Sequence, residues 1–127
     1  QIDLSRVHFT GKVPYATFIG LMQVTRVHCY LTVPFVLSWS MLEAMSAGAL
    51  VVGSRTAPGG ELITDGENGW LADFFDTEDL ADTLIESLTR WRELAPLRTA
   101  ARAHIVENYD LHSICLPRLI AFVEDRL

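Results

Sequence analysis

The spacing of apolar and polar positions changes along this chain, and each change marks an element. Phe35, Val36 and Leu37 lead into two serines, after which Met41, Leu42, Ala44 and Met45 recur at helical spacing. Ser38 or Ser40 is suited to cap that helix, because a serine oxygen accepts from an otherwise unpaired amide of the first turn. Ala47-Gly48 stops it. Ala49-Leu50-Val51-Val52 then reads as a short strand covered on both faces.

The rest of the chain falls into place around this stretch. Arg6-Val7-His8-Phe9-Thr10-Gly11 alternates like a strand ended by glycine. Val13-Pro14 opens a helix in which Tyr15, Phe18, Ile19 and Met22 share a face, running to about Val24. Val27 to Leu31 is a second strand, broken by Thr32-Val33-Pro34. Arg55 to Gly60 has strong turn chemistry, and Glu61-Leu62-Ile63 fits one helical turn. Asp65 to Gly69 is a tight turn before a fourth strand at Trp70-Leu71-Ala72. Thr77 caps a long amphipathic helix with Leu80, Leu84, Ile85 and Leu88 on its core face. Further helices are expected from Arg92 to about Asn108, with Pro96 in the first turn, and from Leu111 to Leu127, interrupted or started at Pro117. In the last, Leu119, Ile120, Val123 and Leu127 would face inward.

Strand and helix alternate through most of this order, which predicts an α/β fold: three layers, helices on both faces of a parallel, Rossmann-like sheet. No repeat, low-complexity tract or linker divides the chain, so residues 1–127 are expected to form one domain. Such sheets bind ligands beyond the carboxyl ends of their strands, where loops run into helix N-termini. Those places are Gly11-Lys12-Val13, Thr32 to Ser40 and Arg55 to Gly60. Their unpaired amides and positive dipole ends suit phosphate.

Composition narrows the ligand. Half the residues are hydrophobic and a fifth charged, as in a folded domain with a real core. A net charge of −6 argues against a nucleic-acid partner, though not against a small phosphate-bearing ligand. Cys29 and Cys115 lie far apart in apolar patterns, so two buried free thiols are expected. No metal-ligand spacing and no nucleophile–base pair is readable. No run reaches the roughly 18 apolar residues of a membrane span. Gln1 is not an initiator, from which a fragment of a longer protein is expected.

One acid stands out. Glu43 is the single charge between Thr32 and Ser54. With Ser40 it fits S-x-x-E, a capping box that satisfies amides at a helix start; equally, its two carboxylate oxygens suit a ligand with two neighbouring hydroxyls. The bland alternatives extend to its surroundings. Ser38 and Ser40 read as caps rather than catalysts, and Trp39 as partly buried packing. His8 and His28 read as strand residues, His104 and His112 as helix-surface ones. Lys12 and Arg55 read as solvated cations, and Asp65 and Glu67 as turn residues.

Phe35 to Gly48, Leu50-Val51-Val52, Gly60 to Ile63 and Asp65-Gly66-Glu67-Asn68-Gly69-Trp70-Leu71 together resemble the nucleotide-sugar half of family 4 retaining glycosyltransferases. The resemblance runs from Arg6 to about Leu88. It implies a truncated C-terminal domain of a GT-B fold, with the N-terminal acceptor domain and the first strands outside this chain. By that resemblance Glu43 accepts from the donor's ribose hydroxyls. The loop Leu37-Ser38-Trp39-Ser40 meets the donor diphosphate through backbone amides, and Val13 contacts the nucleobase. Phe35 stands where the family carries the first of its two glutamates, and Val36 and Ser38 replace loop glycines.

The activity implied is a hexosyltransferase that moves a sugar from a nucleotide-diphosphate sugar to an acceptor with retention, in glycan or polysaccharide biosynthesis. The nucleotide sugar is a co-substrate, and neither cofactor nor metal is expected. A glycan, lipid-linked or small-molecule acceptor would sit on the missing domain. The expected location is cytoplasmic, peripheral at the membrane in the intact protein. This chain alone is expected not to turn over. Two alternatives keep the fold: a nucleotide-sugar epimerase lobe, and a degenerate binding module without catalysis.

Overall fold

The computed structural model describes residues 3–33 and 36–126. Three parallel strands, β1 (Val27–Tyr30), β2 (Leu50–Ser54) and β3 (Trp70–Ala72), form one sheet in the order β1-β2-β3. Val27 pairs with Leu50, and Val52 with Trp70. Parallel neighbours need crossovers. These are α2 (Trp39–Ala47) between β1 and β2, and α3 (Ala57–Leu62) with a tight turn between β2 and β3. Helix α1 (Tyr15–Val24) precedes the sheet; α4 (Thr77–Thr89), α5 (Ala95–Tyr109) and α6 (Leu116–Glu124) follow it.

The middle strand organises the core. All five residues of β2 are buried. On one side Val51 packs into a cluster with Met41, Ala44 and Met45 of α2, Met22 of α1 and Ala101 and Ile105 of α5. By strand alternation Leu50 and Val52 face the other way, and α4 runs against all three strands. Gly48 ends α2 at φ +88°, and its amide donates to the carbonyls of Ala44 and Met45. The ladder extends past the strands, because the Ser54 hydroxyl donates to the Thr32 carbonyl (2.8 Å) and accepts from the Thr32 amide (3.0 Å).

The turn before β3 is held by side chains. Buried Asn68 accepts from the Thr64 amide (2.8 Å) and donates to the Leu62 carbonyl (3.0 Å). Asp65 accepts from the Leu71 amide (2.9 Å) and pairs with Arg55 (2.8 Å). Arg55 is therefore committed to this turn rather than free after β2.

Several expectations are corrected. Residues 6–11 form no strand: a 3₁₀ turn spans Leu4–Arg6, and Phe9 is 91 % exposed. Alternation marks a chain able to extend, but a strand exists only where a neighbour takes its hydrogen bonds, and β1 and β3 pair only with β2. The cap of α4 is Asp76, one residue before Thr77, and its carboxylate accepts from the amides of Glu78 and Asp79. That helix is also turned from the expected face. Leu80, Leu84 and fully buried Ser87 face inward, while Ile85 and Leu88 are exposed. Ser87 brings the helix backbone close where a leucine would hold it away. Leu119, Ile120 and Val123 are exposed as well, and Leu127 lies outside the described residues. Cys29 is exposed on edge strand β1 and Cys115 half-buried, both as free thiols. His104 is half-buried rather than on the surface.

Candidate functional site

The loops after β1 and β2 and the start of α1 lie at the carboxyl ends of the parallel strands. Ser38 caps α2: its backbone is extended, and its hydroxyl accepts from the Ser40 amide (3.3 Å) and lies 3.0 Å from the Ser40 hydroxyl. The Ser38 amide donates to the Tyr30 hydroxyl (2.9 Å), which pins the loop to the end of β1. Thus the amides of Ser38 and Ser40 are both taken up within the loop. Leu37 packs against the core, whereas Trp39 is 82 % exposed rather than partly buried. Phe35 lies outside the described residues.

The cap bears directly on Glu43. With Ser38 as the capping residue, the third helical position is Met41, so the Ser40–Glu43 capping box does not form. Glu43 sits half-buried in the second turn of α2. Among the described residues no cation and no backbone amide pairs with its carboxylate. Its neighbour is the Tyr15 phenol at the first position of α1. Hydrogen bonding to Glu43, then desolvation, then the carboxylate's charge push that phenol above its ordinary pKa of 10.0.

Helices α1 and α2 pack together. Val13, half-buried, precedes Tyr15 by two residues, so α1 carries its start to the Glu43 side of α2. Tyr15 belongs to this site although its place in an apolar stripe hid it; the phenol at a helix start was the available signal. On another side of the loop lies a largely apolar cavity of about 520 Å3, lined by Leu37, Trp39 and Leu42 of the α2 region, Leu62 of α3, and Tyr109 and Leu111 after α5.

A parallel three-stranded sheet with flanking helices defines a Rossmann-like α/β domain. Residues 1–90 match the family described as "Glycosyl transferases group 1", and the chain belongs to that family. No curated protein matches it.

Solved structures of HepE from Anabaena are similar in fold. The complex with UDP-glucose is 22% identical with a TM-score of 0.74. The complex with UDP is 23% identical with a TM-score of 0.74, and that with UDP and glucose 22% with a TM-score of 0.75. Each covers 84% of this chain, which spans only 29% of HepE. The fold is thus the Rossmann-like α/β domain of a GT-B glycosyltransferase. No helix among the described residues is long and apolar enough to cross a membrane.

Proposed function

We propose that this chain is the donor-binding part of a family 4 retaining glycosyltransferase that builds glycans or polysaccharide on the cytoplasmic side of a membrane. It binds a nucleotide-diphosphate sugar, and the acceptor sits on a part of the protein outside this chain. Glu43 takes the ribose hydroxyls, Val13 the base, and Leu37 to Ser40 the diphosphate.

The observation that carries this reading is the state of Glu43. A half-buried carboxylate that neither caps its helix nor pairs with a cation, and has the Tyr15 phenol as its polar neighbour, keeps acceptor capacity to spare, and vicinal hydroxyls suit its two oxygens. The family match and the UDP-containing relatives agree with that ligand class. Titration with UDP, GDP and ADP tests it. One nucleotide is expected to bind, and Glu43→Ala to weaken it by about 1.5–3 kcal/mol, the worth of a hydrogen bond to a charged group. No binding of any nucleotide to a folded protein at millimolar concentration would overturn the reading.

A second reading, a nucleotide-sugar-binding module without turnover, is favoured by the loop itself. The Ser38 amide is held by Tyr30, and the Ser40 amide by Ser38. A diphosphate must displace both partners before it reaches these donors. Tyr30→Phe frees the Ser38 amide, and tighter nucleotide binding by that variant would favour the module; weaker binding would favour a loop built for its ligand.

A further inference from the structure

At the opposite, amino end of the strands, a cavity of about 310 Å3 is lined by Arg26 just before β1 and by the turn from Leu88 to Glu93 that joins α4 to α5. We propose that this cavity is a second ligand site, one that takes a phosphate monoester or a similar compact anion. It is independent of the donor site and of the reading given to it.

The placement of charge is the first argument. The chain carries −6, yet Arg26, Arg90, Arg92 and Arg98, four of its ten Lys and Arg residues, gather around one tryptophan. The Arg98 guanidinium lies 4.1 Å from the Trp91 ring centroid and that of Arg26 5.7 Å. Arg90 is neutralised locally by Glu86 and Glu93, the latter the one acid lining the cavity. Arg26, Arg92 and Arg98 form no ion pair among the described residues, and of these Arg26 and Arg92 line the cavity.

The chemistry of the lining is the second argument. Guanidinium groups are matched to phosphate oxygens by geometry as well as charge. An anion seated beside Trp91 accepts from Arg26 and Arg92 and balances their charge. The volume lies at the small end of the range for small-molecule sites, roughly 300–1,000 Å3.

The indole N–H resonances provide the test, since Trp39 and Trp70 lie outside the cavity lining and act as internal controls. The folded protein is titrated with sodium phosphate against sodium chloride at matched ionic strength. In a parallel arm it meets phosphatidylcholine vesicles with and without phosphatidic acid. The Trp91 resonance is expected to shift saturably with phosphate while the other two stay in place. Arg92→Gln and Arg26→Gln should each weaken the response about tenfold, the scale of one charge-assisted hydrogen bond. Arg118→Gln, which removes a charge elsewhere, should leave it unchanged. Response to phosphatidic acid vesicles alone also supports the site and names a lipid headgroup as the source. The proposal is overturned if Trp91 responds to neither probe, or if Arg118→Gln matches Arg92→Gln.

Discussion

Strand β2 and helix α6 are both apolar, and they end in opposite places. Every residue of β2 is buried, while no residue of α6 is. β2 has a strand on each edge and helices over it. On α6, Leu116, Leu119, Ile120 and Val123 form a helical stripe that lies open. The difference teaches that periodicity predicts an element's own shape, while burial depends on partners that lie elsewhere in sequence.

The comparison breaks most sharply on the β2 side. Met45 fills the space between α2 and the sheet at zero exposure. Met45→Ala should cost about 2–5 kcal/mol in chemical denaturation, because the transfer term and the cavity add. A loss under about 0.5 kcal/mol, the range of ordinary surface changes, would mean that the core repacks around the gap. Next comes Gly59, where α3 passes over the end of β2. A Cβ there would lie 2.5 Å from the Ser54 carbonyl oxygen, a backbone atom with no freedom to swing aside. Gly59→Ala should destabilise by about 1–3 kcal/mol, the cost of overpacking.

An intermediate case sits on β1, the edge strand. His28 is half-buried, stacks on Tyr30 with centroids 6.4 Å apart, and its Nε2 has no partner. Burial pushes its pKa below 6.5. The unfolded chain then binds the proton more readily than the folded one. The stabilising contribution is complete above pH 6.5 and is lost as pH falls through the folded value. Thermal midpoints from pH 8 to 5 should drop on the acid side, and His28→Gln should flatten that limb. An unchanged slope in the variant would assign the pH dependence to other groups.

The same distinction explains what could be read from the sequence. The helix of Met41 to Ala47, its glycine stop, the strand after it and the DGxNG turn were all legible, because each is a local pattern with local causes. Three failures have one origin. Residues 6–11 alternate but lack a ladder partner; Ile85 and Leu88 are apolar but lose the inner face to small Ser87; the α6 stripe is regular but uncovered. At the site, Glu43 was visible as a lone charge, and spacing left capping open until the cap proved to be Ser38. Tyr15 was hidden, since an aromatic residue in an apolar stripe looks like packing until its polar atom's surroundings are known.

The smallest expected effect is the most telling for the comparison. Replacing Leu119 and Val123 with serine removes two large apolar side chains from α6, as many methyl groups as a severe core lesion. Both are about half exposed, 60 % and 49 %. Little water-excluded surface is lost, and serine's lower helix propensity adds a few tenths of a kcal/mol per position. The double variant should therefore shift stability by less than about 1 kcal/mol in denaturant, against several for Met45→Ala. Denaturation at two protein concentrations separates the possible causes of any larger loss. A loss that grows with concentration means that a second copy covers the stripe in solution. A loss that does not means that α6 folds back onto its own domain, and the contrast with β2 would then be one of degree.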